Sequence, residues 1–228
     1  MRWLTPGGAV AALLVGAAVT IGQGLRGLTL LIAFFTTASL LSSRAGRDLR
    51  EAGGRTARQV AANGAVAAVA ALLGWGVATA GAIAAATADT WATELGRRSR
   101  VPPRLFTTGK RVPPGTSGGV TALGTVAGTV GALALGLLDA FLMGSTIRFG
   151  LLLAVAGVAG MLADSLLGAS VQARFGCPSC GVVRERPDAP CHEPLVHTRG
   201  LAWLDNDAVN LAATLLGAGA AVLLSRWT

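Results

Sequence analysis

The sequence predicts an all-α fold, a polytopic membrane bundle of about seven transmembrane helices. Three observations predict it. Hydrophobic residues make up 52% of the 228-residue chain and charged residues only 13%, where a soluble domain carries about a quarter charged. Mean hydropathy is +0.60. The apolar runs are rich in alanine and contain many of the 32 glycines, while tyrosine is absent. Small residues of this kind let helices approach closely in lipid, as at Gly124-x-x-x-Gly128. Together these features exclude an ordinary soluble globular domain.

The expected spans are 8–23, 27–43, 59–76, 77–95, 117–138, 147–170 and 206–225, within one membrane domain covering 1–228. No persuasive cleavage site follows the first run, and a second begins almost at once, so it reads as a retained helix rather than a signal peptide. The third and fourth runs meet in a tight hairpin at Gly74-Trp75-Gly76. The fifth follows a Pro-Pro turn and a glycine-rich stretch, and the seventh opens on Asp205 and Asn206, both able to N-cap a helix. Sixteen of the nineteen basic residues fall at Arg2 and in loops 44–58, 96–116 and 171–205; only Arg26, Arg148 and Arg226 face the other way. This asymmetry places the N-terminus and the three long loops in the cytosol, across a cytoplasmic membrane of bacterial type. The net charge of +8 thus reflects topology and contact with anionic lipid headgroups. Nucleic-acid binding is excluded, because the basic residues abut membrane helices and lack interleaved aromatics.

Polar residues inside the spans converge on one depth. Asn63 lies one turn beyond Gln59 in the cytosolic third of its helix. Asp89 and Glu94 occupy the last two turns of run 77–95, Asp164 and Ser165 the cytosolic half of run 147–170, and Asp205, Asn206, Asp207 and Asn210 the start of the last run. At the outer side only Asp139, near Arg148, compares, and it reads as an interfacial anchor. A carboxylate at such a depth costs about 3 kcal/mol on insertion scales and marks a functional site by default. Carboxylates gathered without matching cations repel one another unless a cation separates them. A hard divalent ion, most naturally Mg²⁺, fits an all-oxygen donor set and leaves positions open for phosphate.

The loop "TTGKRVPPGTSGGVTALG" supplies the phosphate half. Gly115, Thr116, Ser117, Gly118 and Gly119 stand directly before an apolar run. Their backbone N–H groups suit an anion nest at a positive helix N-terminus, with Lys110 and Arg111 just upstream. It is not a Walker A motif, since the lysine precedes the glycines. Separately, Cys177-x-x-Cys180 followed by Cys191-His192 has the ligand types of a small structural Zn²⁺ knuckle over 177–192.

Five stretches carry a family resemblance: "RQVAANG" (58–64), "ADTWATELG" (88–96), "TTGKRVPPGTSGGVT" (107–121), "ADSLLGASVQ" (163–172) and "LDNDAVN" (204–210). In this order they resemble the family containing plant phytyl-phosphate kinase and the animal transmembrane protein 19, from about residue 55 to the end. The cysteine-bearing insertion resembles bacterial members and lies outside the shared pattern. The resemblance implies an integral-membrane enzyme that transfers a phosphoryl group from CTP or UTP to a prenyl monophosphate. It does not carry over which alcohol. On that reading Asp89, Glu94, Asp164 and Asp207 hold Mg²⁺, with Asn63 and Asn210 beside them. Lys110, Arg111 and residues 115–119 cradle the triphosphate, and Asp89, Asp164, Asp207 and Lys110 form the catalytic set. Two alternatives remain: a cytidylyltransferase making a CDP-lipid, and a cation-coupled secondary transporter. The expected partners are the nucleotide, the prenyl-phosphate lipid and the surrounding bilayer.

Overall fold

The computed structural model describes residues 3–44, 54–185, 189 and 191–227. Helices dominate: α1 (Pro6–Arg44), α2 (Ala57–Leu72), α3 (Gly76–Gly96), α4 (Ala122–Leu142), α5 (Ile147–Ser170) and α6 (Asn206–Leu224). Among the described residues four stretches are long and apolar enough to cross a membrane: Pro6–Ser42, Ala122–Leu142, Ile147–Ser170 and Asn206–Trp227. The others differ for plain reasons. α2 has only 16 residues, and α3 carries Asp89 and Glu94.

α1 merges the first two expected runs, but it breaks at Gly24, whose φ of 59° and ψ of −150° suit glycine alone. The first arm runs alongside α2 in the same direction. A Cβ on Gly7 would lie 3.7 Å from Ala57, one on Gly64 would press on Val15 at 2.9 Å, and one on Gly22 would strike the Ala71 carbonyl. The second arm returns beside α3, where Trp91 Nε1 donates to Thr37 Oγ1 at 3.2 Å and Ser42 Oγ donates to Glu94 Oε1 at 2.8 Å. Seven helical segments therefore run between two ends of the bundle.

Local chemistry sets their starts. Thr56 and Gln59 form a capping box on α2. Thr121, Thr146 and Asp205 accept from backbone N–H groups at the starts of α4, α5 and α6. α3 sits at the centre and touches every other helix. Its Ala80, Ala82, Ala84 and Ala88 are fully buried. Gly160 of α5 and Gly217 of α6 approach so closely that a Cβ on either would lie 2.5 Å from the Ala85 Cβ. Gly124 and Gly128 of α4 do the same against the carbonyls of Ala92 and Ala88, each 2.7 Å from an added Cβ. Leu13, Leu14, Ile21 and Leu25 point outward, each more than 65% exposed.

Asp139 is not an interfacial anchor beside Arg148. It is fully buried and accepts from Arg26 at 2.6 and 2.8 Å, while Arg148 is exposed. The break at Gly24 returns the chain so that Arg26 meets the inner face of α4. This bidentate pair clasps the end of the bundle where Gly76 lies.

The loops at the other end carry short strands. β1 (Arg104–Leu105) pairs antiparallel with β2 (Gly119–Val120). That pairing explains why the helix expected from 117 starts only at Ala122. β3 (Arg174–Gly176), β4 (Val183–Arg184) and β5 (Val196–Arg199) form an antiparallel sheet in the order β4-β3-β5.

Candidate functional site

At the end of the bundle opposite the Arg26–Asp139 clasp, a cavity of about 760 Å³ opens beneath these loops. All six helices reach it, and four of them carry its helix-borne carboxylates and amides. α2 presents Gln59 and Asn63, α3 presents Asp89 and Glu94, α5 presents Asp164 and Ser165, and α6 presents Asp207 and Asn210. Gly115, Thr116, Ser117, Gly118 and Gly119 form another wall. The helix-borne acids, both asparagines and the glycine-rich loop thus share one space, as the sequence leads one to expect.

The four acids are not equivalent. Asp89 of α3, Asp164 of α5 and Glu185 beyond β4 all line this cavity. Asp164 Oδ2 is buried and has no hydrogen-bond donor among the described residues. Buried carboxylate oxygens in proteins are normally satisfied, so an oxygen left without a donor beside a second carboxylate fits a cation. Glu94 is instead buried against Ser42, with 5% exposure. It is therefore not solvated, though it lines the same cavity as Asp89 and Asp164. Asp207 lies 3.4 Å from the Arg58 guanidinium, which also meets Asp205 at 2.7 Å. No three carboxylates among the described residues bring their oxygens within 4.8 Å of one another. All four expected acids line the cavity, and two of them, Glu94 and Asp207, also have protein partners.

The glycine-rich loop is a tight turn seated on α5. Gly118 has φ of 71°, and a Cβ there would collide with the Ala169 backbone. Thr116 N donates to Pro113 O at 3.2 Å and Gly119 N to Thr116 O at 2.9 Å. Two of the five N–H groups expected to meet an anion are therefore used within the loop. Arg174 Nη2 donates to Ser117 O at 3.2 Å, and Ser117 Oγ donates to Glu185 Oε1.

Lys110 and Arg111 do not line the cavity. Leu105 N donates to Lys110 O at 2.8 Å and Arg104 bridges to Arg111, so the β1–β2 hairpin turns both side chains to its exposed tip. The cations that do line the cavity are Arg55, Arg97, Arg100 and Arg184. Sequence reasoning missed these, together with Glu185, whereas Gln172, the last residue of the "ADSLLGASVQ" stretch, does line the cavity. Arg97 and Arg100 directly follow the recognised "ADTWATELG" stretch, a usable signal. Nothing in spacing marks Glu185, which reaches the cavity through the pairing of β4 with β3.

The three cysteines gather in the same loop. The sulfurs of Cys177, Cys180 and Cys191 lie within 4.8 Å of one another, Cys180 and Cys191 at 3.5 Å. Hydrogen bonding from the Cys180 backbone N–H is the main effect lowering the Cys177 thiol to about 6. The Cys191 thiol is raised, first through its hydrogen bond with Cys177. His192 lines an adjoining cavity of about 370 Å³ with Cys180 and Cys191, but falls outside the three-sulfur group. The expected fourth ligand is therefore not drawn in.

A family model described as "Integral membrane protein DUF92" matches residues 1–218. The chain is similar to "Uncharacterized membrane protein MJ0933" of Methanocaldococcus jannaschii, 34% identical over 98% of this chain and 86% of that protein. It is also similar to "Protein PGR" of Arabidopsis thaliana, 33% identical over 92% of this chain and 84% of the relative. "Protein VTE6, chloroplastic", from the same plant, is 28% identical over 61% of this chain and 34% of its own length. No solved structure matches.

Proposed function

The chain belongs to the DUF92 family of integral membrane proteins, and we propose that it is a membrane kinase of prenyl monophosphates. It would take a phosphoryl group from CTP or UTP and release the prenyl diphosphate. On this reading the seven helical segments each cross a cytoplasmic membrane, with the N-terminus and the cavity facing the cytosol. The cation-rich loops at the cavity end support that orientation. The observation that carries the proposal is the meeting of Asp89 and Asp164 in one cavity with the Gly115–Gly119 turn. The motif resemblance to the phytyl-phosphate kinase family runs through these residues.

Asp89 and Asp164 would hold Mg²⁺, and their all-oxygen donor set and the donor-free Asp164 Oδ2 fit that ion. When bound, Mg²⁺ supplies charge neutralisation to the phosphate oxygens. Arg97, Arg100 and the N–H groups of the glycine-rich turn would orient the nucleotide, with Asn63 and Asn210, which also line the cavity, as neutral ligands or hydrogen-bond donors beside the metal. The lipid phosphate is itself the nucleophile, so the site needs no strong general base, only in-line placement.

The test is incubation of the purified protein in detergent with Mg²⁺, each nucleoside triphosphate and a panel of prenyl phosphates, with both products identified by mass spectrometry. A prenyl diphosphate with CDP or UDP is the expected outcome. Pyrophosphate with a CDP-lipid makes the protein a cytidylyltransferase instead. Cation-coupled uptake into proteoliposomes without nucleotide turnover makes it a transporter.

A further inference from the structure

The cysteine loop and the cavity meet through one strand. β4 leaves the Cys177–Gly181 turn, pairs with β3, and delivers Arg184 and Glu185 to the cavity wall. Arg184 lines both the large cavity and the small one beside Cys180 and Cys191. Glu185 receives a hydrogen bond from Ser117 of the glycine-rich turn. We propose that Cys177, Cys180 and Cys191 form a thiolate site for Zn²⁺, and that the bound ion fixes β4 so that Glu185 holds the Gly115–Gly119 turn against the cavity.

The donor geometry fits. With Zn–S bonds of about 2.3 Å, tetrahedral thiolates stand about 3.8 Å apart. The observed 3.5 Å between Cys180 and Cys191, with all three sulfurs within 4.8 Å, needs only small shifts. Two sulfurs already bonded to each other would lie at about 2.05 Å. The cysteine turn is pre-shaped by Gly181 N donating to Cys177 O and Cys177 N to Val182 O, each at 2.9 Å. Val182, Val183 and Val196 around it are exposed, so apart from the buried Phe175 of β3 the sheet has little apolar core of its own. In such a segment metal binding supplies the folding free energy that packing does not. Glu185 is then a positioning residue, acting on the cavity through Ser117. The inference does not rest on the phosphotransfer reading, because metal content and loop order are measurable without a substrate.

The full-length protein, purified in detergent without chelator, is assayed for zinc by mass spectrometry, and the ion is exchanged for cobalt. One zinc per chain is expected, with cobalt–thiolate charge-transfer absorption that C177S and C191S each abolish. Stripping zinc from the unmutated protein is expected to speed amide exchange by at least about tenfold in 174–176 and 183–185 and also in 115–119. Because stripping uses the native chain, a poorly folding cysteine variant does not obscure the result. Substoichiometric zinc, a Cys180–Cys191 disulfide in the isolated protein, or exchange in 115–119 indifferent to zinc would each overturn the proposal.

Discussion

Gly118→Ala isolates the seating of the glycine-rich turn. Gly118 has φ of 71°, and a left-handed backbone costs an alanine about 1–2 kcal/mol. The added Cβ would also lie 2.5 Å from both Cα and Cβ of Ala169, and nearer still to its amide nitrogen. Helix backbone cannot swing aside as a flexible side chain would, so the clash adds about 1–3 kcal/mol, typical of overpacking. The total, about 2–5 kcal/mol, weakens seating of the turn by about 30-fold to several thousandfold. Gly115→Ala is the control. It has φ of 85° but nothing within 4 Å of its Cβ, so only the backbone cost of about 1–2 kcal/mol applies. Amide exchange over 115–119, with equilibrium dialysis of Mg²⁺–CTP in detergent, reads both variants. The helical melt is expected to stay put. Equal or smaller effects in Gly118→Ala than in Gly115→Ala would refute the claim that α5 holds this turn in place.

Three further outcomes follow from the same geometry. Asp164→Asn removes a charge that shares the cavity with Asp89 and finds no donor for Oδ2. Thermal stability in detergent should therefore hold or rise while phosphotransfer falls by at least about 100-fold; a near-normal rate would take Asp164 out of the proposed metal pair. Asp139→Asn strands the Arg26 charge in a buried contact, which costs about 3–5 kcal/mol. The melting midpoint should drop by about 10 °C for a chain of this size, and replacing both partners by apolar residues should recover much of it. Lys110→Ala, at the exposed hairpin tip, should leave turnover within about threefold, as measured by initial rates at saturating nucleotide.

Much of the bundle is legible as hydropathy. The run expected at 147–170 coincides with α5, and the run at 206–225 with α6 to within a residue. The runs 8–23 and 27–43 correspond to two arms of one broken helix, because Gly24 turns the chain without interrupting its apolar character. The start of α4 was misplaced by five residues for a local reason. Val120 is apolar enough to read as helix, yet its backbone is taken by Arg104 in the β1–β2 pair. In the site, the depth of Asp89, Asp164 and Asn63 was readable, since helix period and cost of burial both act along the chain. The partners were not. Arg58 reaches Asp207 across two helices, Ser42 meets Glu94 across 52 residues, and Arg26 finds Asp139 across 113. Such pairings depend on how segments are set side by side, which hydropathy does not encode. The same holds for Lys110: its position upstream of glycines suggests a phosphate contact, and only the hairpin register turns it outward.

The alanine-packed middle of the bundle bears on what the protein selects. Around Ala80, Ala82, Ala84 and Ala85 the helices meet almost backbone to backbone, and methyl groups fill the remaining space. Among the described residues this packing leaves little room along the axis for a polyisoprene chain. A lipid whose headgroup enters the cavity must let its tail leave sideways into the bilayer, past Leu and Ile side chains of the outer faces. Such a molecule has no ruler. Discrimination among acceptors would then fall on the phosphate and the first carbons beside it, and tails of quite different length would be treated alike.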